Sequence, residues 1–191
     1  MEEERGPELR PCIIGLVGKT KSGKTAIADF LVNALGFKRL SFGDAVRQQI
    51  ARGFGMEASQ LVALEKLEGV EIKNLYHAWH NGRKELSGKN YWVKKVLEQL
   101  PYYENIVIDD IRYPDEMIAV VKAGGRIGKL ECAPKTQIER GADETILKHE
   151  TEIALDTYIY NPSFIIETDA VDFDTVREFV CYWMAEEGYL V

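Results

Sequence analysis

The chain has 191 residues, 46% of them hydrophobic and 29% charged, which suits one globular domain with a substantial core. Its formal net charge of −7 argues against non-specific nucleic-acid binding, a property that leaves a basic footprint. No apolar run approaches the length of a membrane span, and Met1-Glu2-Glu3-Glu4-Arg5 is acidic where a secretory signal would be basic and then apolar, so a cytoplasmic protein without a membrane partner is expected. Cys12, Cys132 and Cys181 are odd in number, far apart and free of any C-x-x-C pair, the pattern of reduced thiols in an intracellular protein.

Residues 1–11 are polar, contain Pro7 and Pro11, and read as a loose tail before a single domain over 12–191. Cys12-Ile13-Ile14-Gly15-Leu16-Val17 is a short apolar run that suits a strand buried on both faces. Gly18-Lys19-Thr20-Lys21-Ser22-Gly23-Lys24-Thr25 fits the phosphate-binding pattern G-x-x-x-x-G-K-S/T. Ala26, Phe30, Leu31, Ala34 and Leu35 then recur at helical spacing up to Gly36, a stop signal.

Strand, glycine loop and helix together aim backbone N–H groups and a helix N-terminus at one anion. Gly18 and Gly23 admit torsions and a close phosphate approach that a Cβ would block, with Lys21 and Ser22 completing the cradle. Lys24 can reach the β- and γ-phosphates, and the Thr25 hydroxyl can ligate Mg²⁺. A nucleoside triphosphate is the ligand this pattern points to.

Further on, residues 37–42 alternate well enough for a second strand, and Asp44 reads as the N-cap of a helix carrying Val46, Ile50, Ala51 and Phe54. From Met56 to about Gly82 the pattern is helical but broken at Gly69, with Ser59 a candidate cap for the first piece. Tyr91 to Leu100 forms a helix with Trp92, Val93, Val96, Leu97 and Leu100 on one face. Ile106-Val107-Ile108 is a buried strand ending at Asp109-Asp110, and Pro114 opens a helix that Gly124-Gly125 closes.

Arg126 to Cys132 is a fourth strand, and residues 133–148 are hydrophilic and expected to be mobile. His149 to Leu155 suits a short helix, Phe164-Ile165-Ile166 a fifth strand, and Asp172 to Glu186 the last helix. Alternating strands and helices predict an α/β fold of three layers, a mostly five-stranded parallel sheet flanked by helices. Ligands of such sheets sit beyond the carboxyl ends of the strands, where Gly18–Lys24, Ser41–Asp44 and Asp109–Arg112 all fall.

A phosphate loop does not by itself separate switch proteins from kinases, but the N-K-x-D and D-x-x-G signatures of a GTPase are absent from this chain. Ser41-Phe42-Gly43-Asp44-Ala45-Val46-Arg47 resembles the S-F-A-D-P-L-K segment of phage-type deoxynucleoside monophosphate kinases. Asp109 to Glu116 resembles that family's D-V-R-F-P-N-E, followed by its Gly-Gly and strand, and His149-Glu150-Thr151-Glu152 is similar to its H-P-S-E. Tyr91-Trp92-Val93 is similar to a Trp-Val pair of the same family. Gly43, Ala45, Arg47 and Glu150 depart from the pattern, and residues 50–90, where a monophosphate base would be recognised, match it poorly.

The resemblance implies a P-loop kinase fold and transfer of the ATP γ-phosphoryl group to a deoxynucleoside monophosphate, with Mg²⁺, in the cytoplasm (a host's, if phage-encoded), and with a homodimer common among such kinases. It implies an acceptor-binding helical region over about 44–95 and a lid over about 133–150. The roles expected are these: Lys24 bridges phosphates, Thr25 and Asp110 or Asp109 serve the metal, and Arg140 closes over the donor. Arg112, with Arg47 and Arg83, holds the acceptor phosphate, while Ser41, Asp44, Trp92, His149 and Glu152 complete the substrate side.

Plainer readings compete. Arg112 could pair locally with Asp115 or Glu116, Arg47 and Arg83 could be solvated charges, and His77 with His80 suits an exposed helix face better than a metal site. Trp79, Trp92 and Trp183 lie on apolar stripes that favour core packing. A kinase of another small metabolite such as dephospho-coenzyme A, or a non-catalytic nucleotide-binding module, are the alternatives.

Overall fold

A computed structural model describes residues 11–68 and 70–189; the tail expected over 1–11 lies outside this range except for Pro11, as does the break at Gly69. The residues gather into two compact units, a sheet unit of Met1–Arg39 with Tyr102–Val191 and a helical unit of Leu40–Pro101. Among the described residues no helix is long and apolar enough to cross a membrane.

The strands are β1 (Cys12–Val17), β2 (Lys38–Leu40), β3 (Asn105–Ile108), β4 (Arg126–Glu131) and β5 (Phe164–Glu167). They form one sheet in the order β2-β3-β1-β4-β5, in which β1 runs parallel to both β3 and β4, and β4 parallel to β5. Burial follows this order. β1 and β3 are buried almost throughout, whereas edge strand β5 alternates, with Phe164 and Ile166 inward and Ile165 and Glu167 outward.

Helices α1 (Lys24–Leu35) and α10 (Phe173–Glu186) cover one face, where Ile14, Leu16, Ile27, Leu31, Leu130, Phe164, Val180 and Trp183 share a core. Gly15 points to the opposite face, where a Cβ would come within 2.6 Å of Ile111 and 3.2 Å of Val120 of α6 (Pro114–Lys122). Helices on both faces of a five-stranded sheet make the expected three-layer α/β architecture. Because β1 lies between β3 and β4, the chain leaves β1 to one side and later returns to the other, and a ligand crevice opens at the carboxyl end of such a strand.

The helical unit holds α2 (Phe42–Gly53), α3 (Ala58–Glu68), α4 (Val70–Ser87) and α5 (Tyr91–Leu97), with a 3₁₀ turn at Leu100–Tyr102. Val46, Ile50, Leu61 and Trp92 form its core. Gln49 links two of these helices by accepting from the Trp79 indole N–H at 2.9 Å and donating to the Tyr91 hydroxyl.

Three helix boundaries correct the sequence reading. Ser41, not Asp44, caps α2, because β2 ends at Leu40 and Ser41 Oγ accepts the Asp44 N–H at 3.0 Å. Ser59 lies inside α3, where the Gln60 and Leu61 N–H groups donate to Glu57 O. The helix expected to reach Leu100 ends at Leu97, and Pro101 sits in the 3₁₀ turn beyond.

Residues 133–148 carry two short helices, α7 (Pro134–Glu139) and α8 (Glu144–Leu147), and α9 (Glu150–Ile153) follows with His149 as its N-cap.

Candidate active site

The loop between β1 and α1 is shaped by residues in the left-handed region, Gly18 (φ 150), Lys21 (φ 59) and Gly23 (φ 97). At Gly18 a Cβ would lie 2.5 Å from Leu130 O and 2.7 Å from Ser22 Oγ, so only glycine fits. α1 begins with no side-chain cap and no acidic residue in its first turn, which leaves its leading N–H groups to an anion.

Lys24 is only 7% exposed, and its Nζ donates to Gly18 O at 2.6 Å and Lys19 O at 2.8 Å. Burial, reinforced by the Arg112 charge and opposed by Glu152, Asp109 and Asp110, pushes its amine down to about 8. An entering polyanion would favour the ammonium form.

Three side chains from distant segments fasten the loop from outside, and two of them were not anticipated. Gln137 of α7 donates from Nε2 to Thr20 O at 3.0 Å. Thr168, just past β5, donates from Oγ1 to Ser22 O at 2.9 Å. Arg140, the expected lid arginine, donates to Lys21 O at 3.3 Å and Thr168 O at 2.6 Å. The hydrophilic segment after β4 is thus bonded to the phosphate loop.

On the other side, the strand-end segment after β3 supplies Asp109, Asp110 and Arg112. Asp109 is gripped by the Arg39 guanidinium through both carboxylate oxygens. Arg39 was not singled out from the sequence; it lies on β2, the strand beside β3, and only the sheet order reveals the pairing.

Arg112 does not make the local ion pair that its neighbours suggest. Its backbone N–H, with that of Tyr113, donates to Glu116 Oε2, while its guanidinium donates to Glu152 Oε1 at 2.5 Å. Glu152 is buried, and its other oxygen accepts the Thr20 N–H of the phosphate loop at 2.6 Å. A carboxylate therefore sits where a loop N–H and a guanidinium converge. Glu116 is also buried, and loss of hydration raises its carboxyl to about 8 despite two backbone donors.

Lys24, Thr25, Asp110, Arg112, Arg140 and Thr168 line one cavity of about 790 Å³, which extends past Val171 and Phe173. Asp109 lines it too, gripped by Arg39, and the Thr25 hydroxyl and Asp110 carboxylate are oxygen donors of the kind that suit a divalent ion. Hydroxyl and carboxylate oxygens are the hard donors Mg²⁺ takes, and it is commonly completed by phosphate oxygens and water. Among the described residues no group of three or more His, Cys, Asp and Glu could hold a metal.

Of the remaining predicted residues, His149 caps α9, its Nδ1 accepting the Thr151 N–H at 3.3 Å. Ser41, Asp44, Arg47, Arg83 and Trp92 belong to the helical unit. There Asp44 pairs with Arg47 at 2.7 Å, Arg47 also lies over the Tyr76 ring, and Arg83 lies over Trp79. Trp92 is 2% exposed and donates its indole N–H to His80 O, so it is a core residue and not a stacking platform for a substrate.

Comparison with solved structures finds the same architecture. Shikimate kinase from Acinetobacter baumannii, solved with shikimate, is 17% identical with a TM-score of 0.53 over 92% of this chain and 94% of that chain. Shikimate kinase from Aquifex aeolicus is 16% identical, with a TM-score of 0.50 over 92% and 98%. A sugar kinase from Janibacter sp. is 13% identical, with a TM-score of 0.50 over 91% and 94%. The fold is that of a P-loop kinase. At such identities the likeness is one of fold. No protein-family model matches the sequence, and no curated protein matches it.

Proposed function

We propose that the protein transfers the γ-phosphoryl group of ATP to a deoxynucleoside or nucleoside monophosphate, giving the diphosphate. The observation that carries this reading is the single cavity in which Lys24 and Thr25 of the phosphate loop face Asp110 and Arg112 from the end of β3. ATP enters with its β- and γ-phosphates on the loop N–H groups and the Lys24 ammonium, and its base lies toward Val171 and Phe173. Arg140 stays over the donor. Thr25 and Asp110 would hold Mg²⁺, which when bound neutralises charge on the β- and γ-phosphates.

A phosphate monoester has its second pKa near ~6, so the acceptor oxygen is already anionic at pH 7. No general base is then needed, and the residues align two polyanions and neutralise their repulsion. Arg112 grips the acceptor phosphate, its guanidinium now donating to one oxygen of the Glu152 carboxylate. His149 is a further acceptor-side candidate, and Asp109 acts through Arg39 to fix the strand end.

The test is ADP release measured across deoxynucleoside monophosphates, ribonucleoside monophosphates and dephospho-coenzyme A. Turnover with a monophosphate supports the reading, and turnover with hydroxyl acceptors alone replaces it with a metabolite kinase using a strand-end carboxylate as base. ATP binding with no acceptor-dependent turnover replaces it with a regulatory module. Arg112→Ala should lower acceptor-dependent kcat on the order of 10³-fold while ATP affinity changes less than about threefold.

A further inference from the structure

The sheet unit contains a second cavity, of about 590 Å³, that no role above uses. It lies against the face of β4 and β5 that carries Lys129, Glu131 and Ile165, opposite the α1–α10 core, and residues 155–162 form its other wall. Gly18, Lys19, Arg112 and Glu152 line it as well, so it shares Arg112 with the donor cavity. Its volume falls within the ~300–1,000 Å³ typical of small-molecule sites.

Its chemistry is mixed. Tyr158 and Tyr160 lie with ring centroids 6.4 Å apart and planes 25° from parallel, and Tyr158 is 37% exposed, offering a flat aromatic face. Gln137 is 1% exposed, and its Oε1 is buried with no hydrogen-bond partner among the described residues. Glu131 and Asp156 add carboxylates that Lys129 (2.5 Å) and Lys19 (2.8 Å) partly neutralise. Burial and those two carboxylates push the Tyr160 hydroxyl up to about 12, so it stays a donor.

We infer that this cavity receives the base of the acceptor monophosphate, stacked on Tyr158 and hydrogen-bonded to the oxygen-rich wall, with its phosphate on Arg112. The inference rests on the kinase reading above for the identity of the acceptor. An aromatic face suits any base, whereas carbonyl and carboxylate oxygens favour bases with exocyclic amino groups. Amino-bearing bases should therefore bind better than thymine.

The test is calorimetric titration of the full chain with dAMP, dGMP, dCMP and dTMP, repeated on Tyr158→Ala and Ile165→Arg. Both substitutions are at exposed positions, Ile165 being 51% exposed, and the second places a bulky cation in the cavity. Each should weaken binding of the preferred monophosphate about tenfold, with ATP affinity kept within about twofold. Changes below about twofold in both variants, no binding of any monophosphate by the wild type, or dTMP as the tightest ligand would overturn the proposal. Cavity-dependent binding without phosphoryl transfer would instead overturn only the kinase reading. Normal turnover in both variants would overturn only the cavity assignment.

Discussion

Lys24 shows how one loop both builds and tunes a site. With its amine lowered to about 8 by burial, the free protein carries a neutral lysine above that pH and an ammonium below it. A bound triphosphate favours the ammonium, so binding above pH 8 requires proton uptake while binding below it does not. ATP affinity should be flat from pH 6.5 to about 7.5 and fall by up to about tenfold per pH unit above 8. Fluorescence titration with an ATP analogue across this range checks it, and a flat profile through pH 9.5 would show the amine to be fully charged.

Glu116 carries the opposite charge and a different consequence. Its carboxyl, raised from 4.5 to about 8, binds a proton in the folded state that the unfolded chain has lost above pH 4.5. Its contribution to stability is therefore fully present below pH 4.5 and fades as pH rises to 8. Glu116→Gln keeps an oxygen for the Arg112 and Tyr113 N–H groups without a charge to bury. The variant should match the wild type near pH 5 and exceed it in urea midpoint at pH 9.

At the scale of elements, the packing of β4 against β5 depends on Gly128. A Cβ there would lie 2.1 Å from Cζ of Phe164, whose ring also packs against Trp183 at 4.7 Å. Gly128→Ala should cost about 1–3 kcal/mol through overpacking, read as a lower urea midpoint at unchanged slope. Adding Phe164→Leu should recover part of that loss by making room, whereas additive losses would show that the ring is not the cause. The hydrophilic segment after β4 is an element of another kind. Its α7 holds few apolar side chains, and what orders it against the loop is Gln137 and Arg140 bonding to backbone carbonyls of Thr20 and Lys21.

For the whole molecule, periodicity located all five strands and most helices, because strands buried on both faces leave unbroken apolar runs and amphipathic helices leave spaced ones. Helix starts were harder to read: Ser41 and Asp44 both suit a cap, and only the end of β2 decides which one performs it. The glycine loop was legible at Gly18 and Gly23, because the positive φ each adopts is a local constraint. The Arg39–Asp109 and Arg112–Glu152 pairs span 70 and 40 residues. Their local surroundings favour other partners.

The sequence by itself therefore determined the α/β class, the glycine loop after β1 and the polar segment that ends β3, because hydrophobic period and glycine torsion act over a few neighbouring residues. Only the tertiary structure decided which carboxylate is taken by arginine, which side chains fasten the loop and where a second cavity opens. Those outcomes depend on strand order and on contacts between segments far apart in the chain, and no local pattern encodes them.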